Sequence, residues 1–145
     1  MKMPELSADV VEFARKLHGH VGPYLVIGLR MGFAAKKALN VLDTESTLLR
    51  VEVSVPMYPP FSCLLDGVQV STVCTIGNQR LQIKNSKIIQ ATFTKENSSK
   101  TVKIKLAKPF REEIDQRHKQ NLLDEPYAWK IAEVPENQLF DLIIE

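Results

Sequence analysis

The sequence predicts an α+β fold of about five strands with helices packed against them. Two capped, apolar helical segments open the chain. Period-two alternation then dominates the middle, most clearly at Leu49 to Val55 and Thr101 to Ala107. The 145 residues, 44% hydrophobic and 25% charged, match an ordinary soluble globular protein with one hydrophobic core.

Ser7 caps a first helix, Ala8 to about Leu17, with Asp9 in its first turn. Val10, Val11, Phe13, Ala14 and Leu17 form its apolar side. Gly19 and Gly22 end that helix and open a loop carrying His18 and His20. Pro23 suits the first position of a second helix running to about Leu39. Gly28 and Gly32 share one face of it and allow another backbone to come close. The strand Leu49 to Val55 is broken by Pro56, Pro59 and Pro60, and a third helix, Phe61 to Thr72, has Ser62 as its candidate cap. Thr75 to Asn78 turns the chain. Strands follow at Arg80 to Lys84, Ile88 to Lys95 and Thr101 to Ala107, the last two as a hairpin around Asn97-Ser98-Ser99. Pro109 opens a charged helix through about Asn121. A helix over Glu125 to Ala132 and a strand over Gln138 to Ile144 complete the order ααβαβββααβ. No repeat, low-complexity segment or interdomain linker interrupts it.

The net charge of +2 is too small to argue for nucleic acid, and no aromatic platform is interleaved with the basic residues. Gln79 to Lys108 nevertheless holds eight basic residues and one acid, Glu96. Pro109 to Glu145 holds nine acids against Arg111, Arg117, Lys119 and Lys130. These are two solvated faces, or opposite patches that meet across a contact between copies. No apolar run approaches the roughly 18 residues of a membrane span. The segment Met1 to Leu6 carries no signal-peptide core, so a cytoplasmic location is expected. Two cysteines without CxxC spacing point to reduced thiols rather than a disulfide framework.

Two imidazoles separated by one glycine, His18-Gly19-His20, form the strongest chemical signal. Histidine is the commonest metal ligand, and Gly19 frees the backbone to turn both rings towards one point. A zinc-type site needs three or four N, S or O ligands, so the pair is half a site. Cys63 is the best candidate for the missing ligand, because free amides at a helix start favour its thiolate. Asp66 lies one turn later, as a ligand, a partner orienting a ligand, or a proton carrier. Cys74 would stand about 16 Å from Cys63 along a continuous helix and ranks below it. Tyr24 and Tyr58 flank the candidate site loops, with packing the expected role of each; His118 is expected to face solvent.

His18-Gly19-His20-Val21-Gly22-Pro23, with Ile27-Gly28-Leu29-Arg30-Met31-Gly32, resembles the opening motif of the formylmethanofuran dehydrogenase FmdE family. Cys63-Leu64-Leu65-Asp66-Gly67-Val68-Gln69 with Cys74-Thr75-Ile76-Gly77 is similar to its second motif, and Val134 to Phe140 to its closing segment. The resemblance implies a thioredoxin-like, mixed five-stranded sheet flanked by helices. It implies a single core domain over residues 1–145, without the cysteine-bearing C-terminal zinc finger of some relatives. It also implies an active site that holds zinc through His18, His20 and Cys63; Cys63 and Asp66 are the candidate catalytic residues. Many relatives carry cysteine at the position of Gly22, so this chain lacks one soft donor. Two classes of function follow. One is a metal-binding domain acting on a small anionic or carbonyl compound. The other is a non-catalytic accessory component of a molybdenum or tungsten formylmethanofuran dehydrogenase-type complex. That enzyme's redox cofactors have no dedicated site here, so dehydrogenase activity is not assigned. A homodimer is expected from the close-packing glycines and the charge asymmetry.

Overall fold

Local signals set both ends of the opening helices. A computed structural model describes residues 6–145, so the expectation for Met1 to Glu5 falls outside the described residues. Helix α1, Ala8–His18, starts at Ser7, whose hydroxyl accepts from the Val10 amide at 3.3 Å. It stops at Gly19, held at φ 100, where a side chain would be strained. Helix α2, Pro23–Leu39, begins on Pro23 and ends at Asn40 in the left-handed region. An unexpected 3₁₀ helix, Asp43–Leu48, follows, its start tied by the Leu42 amide donating to Glu45. Next come β1 (Leu49–Val55), α3 (Cys63–Thr72), β2 (Leu81–Asn85), β3 (Gln90–Lys95) and β4 (Thr101–Leu106). Helices α4 (Lys108–Lys119), α5 (Glu125–Glu133) and α6 (Glu136–Leu139) lead into β5 (Phe140–Ile144).

The strands form one mixed sheet of order β2-β1-β3-β4-β5. β1 and β2 run parallel across the α3 crossover, with Val53 opposite Ile83; the other pairings are antiparallel. The α+β class, five strands and flanking helices are therefore as expected. Three boundaries differ. α3 starts at Cys63 rather than Phe61, and Ser62 before it has helix-like backbone angles and makes no side-chain cap; β3 begins two residues late because residues 86–89 form a loop; and the first residues of the expected last strand wind into α6.

Alternation gives the sheet its two sides. Val51, Val53, Ala91, Phe93, Val102 and Ile104 are buried, whereas Glu52, Gln82, Lys103 and Lys105 are exposed between them. Helix α2 lies at the centre of the core, with 13 of its 17 residues buried. That position explains its apolar character all round. Its glycines face α3: a Cβ on Gly28 would stand 2.0 Å from the Leu64 carbonyl oxygen, and one on Gly67 2.2 Å from that of Leu25. The close approach expected of Gly28 and Gly32 thus occurs within the chain and lends no support to a dimer contact. Helix α1 departs from expectation. Val11 and Ala14 are buried, but Phe13 and Leu17 are 63% and 55% exposed, because the core takes only one edge of its broad apolar stripe.

Candidate functional site

Three helix ends meet at the site: the last turn of α1, the first turn of α2 and the first turn of α3. Gly19 reverses the chain between the imidazoles, and their ring centres lie 4.6 Å apart. His18 Nδ1 stands 2.6 Å from Asp66 Oδ2, a bond that joins α1 to α3. A carboxylate accepts only, so Nδ1 carries the proton, and in the neutral ring the lone pair falls on Nε2. That Nε2 is buried without a hydrogen-bond partner among the described residues. Asp66 is fixed in turn by Gln69, whose side-chain amide donates to Oδ1 at 3.3 Å.

Cys63 is the first residue of α3 and half-buried. Burial pushes its thiol up, and the negative charge of Asp66 pushes it further in the same direction. This reverses the expectation that the helix start favours the thiolate. The backbone contribution does lower the value, but burial and Asp66 outweigh it. Among the described residues, no three His, Cys, Asp or Glu side chains converge as a metal-binding group. His18 stands beside both the Asp66 carboxylate and the His20 ring, while Cys63 lies one turn before Asp66 on the same helix.

The remaining candidates separate. Cys74 is fully buried beyond the far end of α3, its sulfur 3.2 Å from the Leu49 carbonyl oxygen. Tyr24 is buried with its hydroxyl unpartnered among the described residues, and it packs on Phe61 at 5.4 Å between ring centres. His118 is exposed, as expected, and its ring meets Phe61 edge-on at 5.8 Å. Phe61 also supports Tyr58 and lies under the Arg111 guanidinium. Sequence reasoning missed Gln69, Phe61 and Arg111. Only Gln69 had a readable signal, standing one helical turn after Asp66.

The family model for FmdE, described as molybdenum formylmethanofuran dehydrogenase operon, matches residues 17–141. The chain belongs to the FmdE family. Both histidines, Cys63 and Asp66 fall within the matched span. A solved tungsten formylmethanofuran dehydrogenase FmdE-like protein from Syntrophus aciditrophicus shares the fold with a TM-score of 0.68. The likeness covers 100% of this chain and 77% of that one at 21% identity. A probable S-adenosyl-L-methionine-binding protein of Archaeoglobus fulgidus is 35% identical over 68 residues, 47% of this FmdE-family chain. That stretch is 18% of the Archaeoglobus protein, so the two share only a segment of its length. A Cβ on Gly22 would stand 3.6 Å from His20 Nε2. A cysteine there is thus a neighbour of the second imidazole. No helix among the described residues is long and apolar enough to cross a membrane.

Proposed function

We propose that this chain is a metal-binding domain, with zinc as the ion, that acts on a small anionic or carbonyl compound. His18, His20 and Cys63 would hold the metal. The observation that carries this reading is His18 itself: its Nδ1 bonds to a carboxylate while its buried Nε2 has no partner. A histidine that donates its other N–H to a carboxylate is the usual state of a metal-ligating imidazole. The donor set of two imidazoles and a thiol also suits zinc. When bound, such an ion supplies Lewis-acid polarisation of a carbonyl or carboxylate. Asp66 orients His18 and stands beside Cys63, where it can carry a proton. The first-turn amides of α2, which no side chain caps, favour an anionic group at the same place. Cys63 stays a neutral thiol until a nearby positive charge offsets its burial and the Asp66 carboxylate.

The family's operon description supports association with a molybdenum or tungsten formylmethanofuran dehydrogenase-type complex, where the chain would serve as an accessory component. Two free thiols support a reducing, cytoplasmic setting, and the charge asymmetry supports a homodimer. Elemental analysis of protein purified without added metal tests the site. About one zinc per chain is expected, lost from folded His20→Ala and Cys63→Ala variants. Full retention of metal in both variants overturns the ligand set, and metal-free wild-type protein favours the accessory role.

A further inference from the structure

Two adjoining grooves beside the start of α4 share the side chains of Lys87 and Arg111. The smaller, about 220 Å³, has an apolar floor of Ile89 and Leu106 and a cationic rim of Lys87, Lys105, Lys108 and Arg111. Among the described residues, no carboxylate lines it. The larger, about 540 Å³, is bounded by Tyr58, Asn85 and Ser86.

The walls are fixed by the fold. Arg111 Nε donates to both carboxylate oxygens of Asp115 at 3.2 Å, and its Nη1 to the Lys87 carbonyl at 3.1 Å. Its guanidinium also rests over the Phe61 ring. Nη2 takes part in none of these bonds. Asn85 Oδ1 accepts from the Met57 amide at 3.2 Å, and Ser86 Oγ from the Ile88 amide at 3.1 Å. Tyr58 rests edge-on against Phe61 and leaves 58% of its surface exposed.

The charge on the rim is mostly uncompensated. Asp115 is committed to Arg111, and Glu96, the one acid of the basic stretch, is held by Arg50 and Arg80. Lys87, Lys105 and Lys108 form no ion pair with a described residue, though Asp141 stands opposite Lys105 on β5. Even with Arg111 paired to Asp115, the three lysines leave this small cleft net positive, which matches a multiply charged anion better than a single carboxylate. Arginine and lysine together suit phosphate. An open tyrosine face flanked by an amide and a hydroxyl suits a planar heterocycle.

We propose that these grooves form a mononucleotide site, distinct from the histidine centre. The phosphate sits in the smaller groove on Lys87, Lys108 and Arg111, and the base lies on Tyr58 in the larger. Amide NMR titrations with AMP, adenosine and inorganic phosphate at low salt test it, in the absence of added metal. AMP is expected to shift amides 85–89 and 105–111 and to bind more tightly than phosphate or adenosine. Tyr58→Ala should weaken AMP about tenfold through lost stacking, while leaving phosphate binding unchanged and Tyr58→Phe near wild type. The double variant Lys87→Ala/Lys108→Ala, altered only at exposed positions, should weaken both AMP and phosphate at least tenfold. The proposal is overturned if those amides do not move at millimolar AMP, if phosphate binds as well as AMP, or if Tyr58→Ala binds AMP like wild type.

Discussion

Replacing Gly28 by alanine isolates the contact between α2 and α3. The added Cβ would meet the Leu64 carbonyl oxygen at 2.0 Å, against 3.4 Å or more for ordinary contact. It would also meet the Leu64 carbonyl carbon at 2.9 Å and the Val68 nitrogen at 3.0 Å. All three are backbone atoms, so no rotamer change relieves the clash. The helices must part by about 1.4 Å along that line, which opens gaps on either side of it. Overpacking of this kind costs about 3 kcal/mol, and alanine returns about 1 kcal/mol of helix propensity. A net loss of about 2 kcal/mol lowers the unfolding midpoint by roughly 5–10 °C in a domain of this size. Because α2 follows directly on the histidine loop, the 2.6 Å His18–Asp66 bond should also loosen. Thermal unfolding measures the first effect, and the NMR signal of the His18 Nδ1 proton the second. Gly77→Ala is the control, since its Cβ would meet nothing nearer than Thr75 Oγ1 at 3.8 Å. A Gly28→Ala midpoint equal to that of the control would refute the reasoning.

Asp66→Asn keeps the side chain's size but removes the charge that orients His18. Zinc affinity should fall about 10- to 100-fold in a competition titration, and an unchanged affinity would remove Asp66 from the site. Gly22 has an ordinary extended backbone and room for a Cβ, so Gly22→Cys should change stability by less than about 0.5 kcal/mol. It should also tighten zinc binding by adding a sulfur beside His20; weaker binding would show that the residue points elsewhere. Paired oxygen contacts from Arg15 and a bond from Trp129 hold the Glu125 carboxyl at about 2, below its ordinary 4.5. A depressed carboxyl stabilises the fold fully above its unfolded value, and that contribution is lost as pH falls from about 4.5 through about 2. The fluorescence of the single tryptophan should report a step in that window, absent from Glu125→Gln; identical acid titrations would disprove the assignment.

Local physics made most of the element ends legible. Ser7, Gly19 and Pro23 each act within a few residues of themselves, so a cap, a left-handed turn or a helix start can be read directly. The alternation of Val102, Ile104 and Leu106 likewise gives both the strand and its buried side. What depends on distant packing was hidden. Which edge of α1 faces inward is set by its packing on α3, so Phe13 and Leu17 could not be placed from their own helix. The 3₁₀ helix after α2 depends partly on Lys36, whose buried ammonium reaches Asp43 at 3.0 Å. At the site, the adjacency of His18 and His20 follows from spacing, and Asp66 was a natural orienting partner. The state of Cys63 was not legible, because the balance between helix amides, burial and Asp66 exists only in the assembled structure. Arg111 looked like one charge on an exposed helix until packing set it against Phe61 and the β2–β3 loop.

The two cysteines lie at opposite ends of α3, and this separation governs how the protein meets oxidants. Ten helical residues rise about 15 Å, whereas a disulfide needs its Cα atoms about 6 Å apart. Cys74 is also fully buried against the Leu49 carbonyl, where burial pushes its thiol up and keeps it neutral. If a peroxide converts half-buried Cys63 to a sulfenic acid, Cys74 cannot condense with it. Recovery then falls to a thiol from another molecule, or the oxidation proceeds to the irreversible sulfinic stage.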